Sequence, residues 1–347
     1  MFDFSKTTLE HLIIHKVGND FDDSTIFLSE KELRIDDKDL KKLLVTFFLS
    51  SFKPGAFYEF EMVDIDANKM FKFVSEIFAN QLMFREQSNN IAQHLQESSK
   101  HPNIKQGELY IALFDNCKIG NQTTQCLGIF KSESKDTFVK VYQNENQLIP
   151  NCDEGISIKK MEKGCLIFNT DKDTGYKIVI SDKINKTLDC EYWKTEFLKI
   201  VQISDNYYQT ENIMQICKQF ADEILTETSN VDKAQQVAYL QRSSDYFNAI
   251  STFDNEEFTK KVIGQPEVIT AFNDYKNQYS DNYSIELLEN FPVSKPAVAK
   301  SKKYFKPVIK LDKNFHLYVH GNPDLIEKGH DKNKNMNYYK LYFNEEN

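Results

Sequence analysis

Glycine and proline are scarce in this chain, 11 and 8 of 347 residues, which excludes a collagenous or linker-like polypeptide. No apolar run approaches the roughly 18–20 residues that a membrane span requires. The N-terminus, Met-Phe-Asp-Phe-Ser-Lys, has no charged start leading into an apolar stretch, so no secretion signal is expected. The six cysteines (Cys117, Cys126, Cys152, Cys165, Cys190 and Cys217) form no C-x-x-C pair, which argues against a structural zinc site or a dense disulfide framework. Reduced, buried thiols in a cytosolic protein are the expectation. Arginine is nearly absent, with Arg34, Arg85 and Arg242 the only three. The Walker loop, the G-x-G-x-x-G loop and the G-x-S-x-G elbow are all missing, so no catalytic constellation announces itself.

What is present is apolar and aromatic. Hydrophobic residues make up 40% of the chain, with 27 Phe and 17 Tyr, enough for a substantial core. The length suggests two domains or a large one with an appendage. The net charge of −9 is unevenly spread. Residues 1–66 sum to −6, residues 67–202 to +1, residues 203–292 to −9 and residues 293–347 to +5. A basic tail thus follows an acidic stretch, and only the tail suits a polyanion.

Periodicity gives a coarse map. Leu12–Val17 reads as a strand. Leu40, Leu43, Leu44, Phe47 and Phe48 recur at helical spacing behind Asp36 and Asp37, which offer an N-cap. Phe71, Val74 and Phe78 mark a second helix, and residues 82–96 a weaker one. Six short strands follow, at 108–114, 125–131, 137–142, 156–160, 164–169 and 176–181, suggesting an antiparallel sheet or meander. Residues 192–199 read as a short helix holding the single Trp193. Helices are expected near 213–224, 231–250 and 266–279, a linker at Pro292–Pro296, and three strands at 304–311, 315–320 and 338–343. The expectation is an α+β fold. An N-terminal mixed α/β domain with a largely antiparallel sheet (1–202) precedes an acidic helical region (203–292) and a basic C-terminal segment with a small β-sheet (293–347).

Candidate sites have bland competitors. His11/His15 and His316/His320 have the spacing of helical zinc ligands, but both pairs fall in strand-like runs. Four strand residues span about 13 Å, too far to share an ion. Asp64 and Asp66 follow a strand and could hold Mg²⁺, yet helix capping by Asp66 explains them without a ligand, and no phosphate-binding glycine loop accompanies them. Pro323-Asp324 lacks the downstream acid-x-lysine step of a metal-dependent nuclease. No cofactor, no metal and no enzymatic activity are expected. The basic tail is the remaining signal. Lys302, Lys303, Lys306, Lys310, Lys313, Lys332, Lys334 and Lys340 are interleaved with Tyr304, Phe305, Phe315, Tyr318, Tyr338 and Tyr342. Lysines of this kind hold phosphate without reading sequence. The alternative is an ordinary lysine-bearing edge strand that resists aggregation. With no arginine in the segment, bidentate guanine readout is not expected there.

Several stretches carry a resemblance. They are Leu12-Ile-Ile-His-Lys-Val-Gly-Asn19, Gly107-Glu-Leu-Tyr-Ile-Ala-Leu-Phe114, Met161-Glu-Lys-Gly-Cys-Leu-Ile-Phe-Asn169, Tyr176-Lys-Ile-Val-Ile-Ser-Asp-Lys183, residues 305–321 and Tyr338-Tyr-Lys-Leu-Tyr-Phe-Asn344. In texture and order they resemble the bacterial nucleoid-associated protein family, the NdpA/YejK-like proteins, over almost the whole chain. The resemblance implies a cytoplasmic, non-enzymatic protein of the nucleoid that binds double-stranded DNA. It also implies contact with a type II topoisomerase or another DNA-handling protein. It assigns no DNA contact residue by residue, so the lysines rest on charge clustering alone. The alternative function is a protein-interaction adaptor that reaches the nucleoid through such an enzyme. No membrane association is expected, and homodimerisation is left open.

Overall fold

The computed structural model describes residues 2–19, 26–63, 67–102, 104–158, 161–182, 192–225, 233–305, 308–319 and 325–345. Asp64, Asp66, Cys190, Lys306, His320 and the Pro323-Asp324 step lie outside them. The chain divides into two compact units, Met1–Ile203 and Ser204–Asn347, and its class is α+β.

The first unit is built on an eight-stranded antiparallel sheet. β1 (Phe2–Asp3) and β2 (Thr8–Val17) both pair with one edge of the long strand β4 (Gly107–Ile119). Across the sheet follow β5 (Gln122–Ser132), β8 (Lys163–Phe168), β9 (Lys177–Asp182), β3 (Tyr58–Phe60) and β10 (Ile200–Gln202). Alternation along β4 sends Leu109, Ile111 and Leu113 to one core and Tyr110, Ala112 and Phe114 to the other. Both faces are covered, which is why 109–114 is buried without interruption. α2 (Lys69–Ala79) and α3 (Phe84–Ser98) bury Met70, Val74, Ile77, Ile91 and Leu95 on the first face. α1 (Lys38–Leu49) covers the second with Phe47 and Phe48. Asp37 caps α1 by accepting from the Asp39 and Leu40 amides, as the sequence suggests. Only the C-terminal half of α1 packs, and Leu40 and Leu43 stay exposed.

One sequence-based expectation for the first unit needs correction, and one is refined. Of the strand expected at 156–160, residues 159 and 160 lie outside the described residues and 156–158 are not strand; the strand here is β7 (Gln147–Gly155), which pairs with β6 (Asp136–Asn144) in a separate hairpin. Pro150 and the polar run around it hide this strand from pattern reading, since proline is confined to edges. The helix at Tyr192–Leu198 exists but is π-type, and it buries Trp193, Phe197 and Leu198.

The second unit packs α4 (Asn206–Glu223), α5 (Lys233–Ala249), α6 (Asn255–Phe258), α7 (Pro266–Tyr283) and α8 (Lys295–Ser301) around Phe220, Phe247, Phe258 and Phe272. The stretch expected as a linker is structured. β12 (Asn290–Pro292) pairs with β11 (Thr252–Asp254), placing Phe291 against Phe253 with ring centroids 5.0 Å apart. Ala297 and Val298 of α8 are buried as well. The C-terminal strands form two hairpins rather than one three-stranded sheet. β13 (Val308–Leu311) pairs with β14 (Phe315–Tyr318), and β15 (Ile326–Asp331) with β16 (Met336–Leu341). β15 escapes pattern reading because Glu327, Lys328, Gly329 and His330 make it polar. Among the described residues no helix is long and apolar enough to cross a membrane.

Candidate nucleic-acid interface

The lysines of the C-terminal segment fall into two groups. The first serves the fold. Lys295 donates to the carbonyls of Phe247, Asn248 and Ile250, at 3.3, 2.9 and 2.7 Å, and so closes the C-terminal end of α5. Its charge opposes the negative end of that helix. Lys300 sits 2.7 Å from Glu211 and 5.6 Å from the centre of the Tyr207 ring. Burial alone would lower its pKa, but the Glu211 carboxylate outweighs that and holds the ammonium firmly charged. Their positive charge is used internally.

The second group points outward. Lys302 and Lys303 occupy a single 3-10 turn, Lys302–Tyr304, between the buried Ser301 and Phe305. Lys303 lies 4.6 Å from the centre of the Tyr304 ring. Lys310 is exposed on β13, opposite His316 of β14. Lys313 occupies the β13–β14 turn, where Asp312 takes a left-handed conformation (φ 51°). Lys332 and Lys334 lie in the β15–β16 turn, shaped by the Asp331 carboxylate accepting from the Asn333 and Lys334 amides. Among the described residues, none of these six makes an ion pair with a carboxylate. Lys340 differs. It stands 4.9 Å from the Tyr342 ring centre and opposite Glu327, and Tyr342 donates to Glu327 at 2.6 Å. The hydrogen bond with Tyr342 raises the Lys340 pKa.

One helix supports both hairpins. Ile309, Leu311, Leu317, Val319, Ile326 and Tyr339 pack with Ala234 and Val237 of α5. Strand alternation leaves the opposite faces to solvent, with Lys310, His316 and Tyr318 on one hairpin and Tyr338, Lys340 and Tyr342 near the end of the other. Tyr338 lies over Gly329, where a Cβ would come within 2.3 Å of its ring. Phe315 and Phe343 are 67% and 71% exposed, unusual for phenylalanine. The arrangement presents lysine charges and flat rings on the surface of the two hairpins and the Lys302–Tyr304 turn. It can contact phosphate oxygens at several points.

The remaining candidates have ordinary roles where they are described. His11 bonds to Glu32 at 2.7 Å, and His15 turns to Ser88 and the Ser29 amide, so the two do not converge. Among the described residues no three His, Cys, Asp or Glu side chains form a group able to hold a metal ion.

A family model described as nucleoid-associated protein YejK matches residues 13–336. No curated protein matches the chain. The match takes in nearly the whole chain, and the chain belongs to that nucleoid-associated family.

Proposed function

We propose that this member of the nucleoid-associated family binds double-stranded DNA without enzymatic action, in the cytoplasm, through its C-terminal lysines. The observation that carries the reading is the set Lys302, Lys303, Lys310, Lys313, Lys332 and Lys334, exposed and free of carboxylate partners among the described residues. Each ammonium can replace counterions condensed on the duplex, which gives affinity without sequence information. The absence of arginine from residues 293–347 keeps specificity low. Lys340, engaged with Tyr342 and close to Glu327, contributes less, and Lys306 belongs to the same basic run in sequence.

The test is a gel shift on purified protein across a salt series. Changing Lys302, Lys303, Lys310 and Lys313 together to Glu should abolish duplex retention. Retention unchanged at low and moderate salt would sink the assignment.

A second reading rests on a different surface. Glu267, Asp274 and Asp281 are exposed on α7 at seven-residue spacing, which aligns them along one side of the helix. This stripe suits a basic partner, such as a type II topoisomerase or another DNA-handling enzyme, and DNA association would then be indirect. A stable partner retained after nuclease treatment, by a protein that holds no duplex itself, would favour this adaptor role.

A further inference from the structure

The outer face of the β15–β16 hairpin carries rings that no other element covers. Register and alternation place Met336, Tyr338 and Lys340 on it, opposite Asp331, Gly329 and Glu327. The Tyr342 amide donates to the Leu325 carbonyl at 2.9 Å, so the ladder runs one residue further and Tyr342 joins the same face. Met336, Tyr338 and Tyr342 are 61%, 49% and 46% exposed. Ile326 and Tyr339 point the other way, into the small apolar cluster on α5.

Each ring is held in place. Gly329 has no side chain, and Tyr338 lies in the space that a Cβ would take, its nearest ring carbon 2.3 Å from that position. The ring therefore rests flat on the neighbouring strand, with its other surface turned outward. Tyr342 is held at its tip, where the hydroxyl donates to Glu327 at 2.6 Å, and the Lys340 ammonium stands 4.9 Å from its ring centre. The carboxylates on this face already have local donors. Glu327 has the Tyr342 hydroxyl, and Asp331 has the Asn333 and Lys334 amides. What the face offers a ligand is two ring surfaces and the Lys340 ammonium, with Lys332 and Lys334 at the adjoining turn.

We propose that this face is a base-stacking platform for unpaired DNA, with Tyr338 and Tyr342 as the stacking rings and Lys340 on the phosphate between them. The proposal rests on the reading that the C-terminal lysines hold DNA, and it adds the form of DNA that this hairpin takes. In a duplex each base is covered on both faces by neighbours about 3.4 Å away. A ring lying flat on a strand then meets only sugar, phosphate and base edges. An unpaired base brings a free face, and stacking on a ring accepts any of the four bases. Aromatic cover of a strand glycine explains Tyr338 by itself. It does not explain Tyr342 on the same face, or Phe343 beside it, 71% exposed. Charge decides between occupants. The free charges around the rings are lysines, which complement a phosphate chain and give a neutral partner nothing to pair with.

The test uses the full chain and fluorescence anisotropy at one salt concentration. The labelled ligands are an oligothymidylate of about 16 nucleotides, an abasic deoxyribose-phosphate chain of the same length and a duplex of the same length. Oligothymidylate should bind about tenfold or more tighter than the abasic chain, whose charge is equal. Tyr338→Ala with Tyr342→Ala should remove that advantage and leave the abasic and duplex affinities within about twofold of wild type. Tyr338→Phe with Tyr342→Phe keeps the ring faces and should retain it. Wild type that binds oligothymidylate no tighter than the abasic chain would overturn the proposal, and duplex retention in the same experiment would leave the duplex reading standing. An alanine pair that keeps the advantage, or that loses equally on all three ligands, would overturn it as well. The duplex reading fails separately, if the four-lysine variant holds the duplex as wild type does.

Discussion

His15 makes the stability of the first unit depend on pH. Its ring is 1% exposed on β2. Nδ1 accepts from the Ser29 amide at 3.1 Å, so Nε2 carries the proton and faces the Ser88 hydroxyl at 3.2 Å. Ser88 in turn donates to the Arg85 carbonyl at 2.7 Å. A second proton on Nδ1 would point at the Ser29 N–H and would be buried as charge. Burial accordingly pushes the His15 pKa down from 6.5 to about 4. The unfolded chain takes up the proton near pH 6.5 while the folded chain refuses it until near pH 4. Stability is therefore fully present above pH 6.5 and is lost as pH falls from 6.5 towards 4. Between pH 7.5 and pH 5 the loss is about 2 kcal/mol, and across the whole window about 3 kcal/mol. The assay is urea unfolding followed by Trp193, the only tryptophan, which is packed in the same core as Ile13 and Val17 and so reports on this unit. His15→Asn can keep an acceptor near Nδ1 and cannot titrate. It should lower stability at pH 7.5 and flatten the decline towards pH 5. Wild-type and variant curves that run parallel from pH 7.5 to 5 would refute the reasoning.

Three further outcomes follow from named contacts. Glu133→Gln leaves Lys131 and Lys163 without their shared carboxylate, so it should cost about 3–5 kcal/mol in the Trp193-monitored transition. Gly175→Ala should destabilise the same unit by more than about 1 kcal/mol, because φ is 102° and the new Cβ would lie 2.5 Å from the Phe60 carbonyl oxygen. Lys295→Met should cost about 1–3 kcal/mol by uncapping α5, seen in thermal melts by circular dichroism. On the proposed duplex-binding reading, it should leave the salt dependence unchanged, whereas each outward lysine removed should reduce that slope by about 0.9.

The sheet of the first unit was legible because its strands are short β-branched and aromatic runs bounded by turns. Leu109 to Phe114 is apolar at every position since both faces are covered, and its β-branched and aromatic content still marks a strand. The α1 stripe was legible for the matching reason, a 3.6-residue period beside a side-chain cap. Where a strand has no core to face, the signal vanishes. β7 is held by hydrogen bonds to β6 and buries almost nothing, so nothing in its side chains had to alternate. The same holds for β15, whose Gly329 serves the Tyr338 ring rather than a core. The span from Pro292 to Pro296 misled for the opposite reason. Two prolines resemble a linker, yet Phe291 and Val298 are both in the helical core.

The lysine-rich segment shows why charge in a sequence differs from charge at a surface. Lys295 and Lys300 contribute to the same +5 as the outward lysines, but three carbonyls and a carboxylate consume them. No count could separate the two groups, because the partners Phe247 and Glu211 are tens of residues away in sequence. Beyond Lys302 and Lys303, which share one turn, what remains outward is spaced by the hairpins. Lys310 stands on a strand, while Lys313, Lys332 and Lys334 stand at turns that rest on α5 through a small apolar cluster. A surface of this kind holds a regular line of phosphates better than it discriminates bases, since ammoniums lack the planar fork of arginine. The hairpins also have few buried side chains of their own, so their order depends on α5. Loosening the end of α5 at Lys295 should therefore lower duplex affinity by disordering the platform, with the number of phosphate contacts, and hence the salt slope, preserved in the ordered fraction.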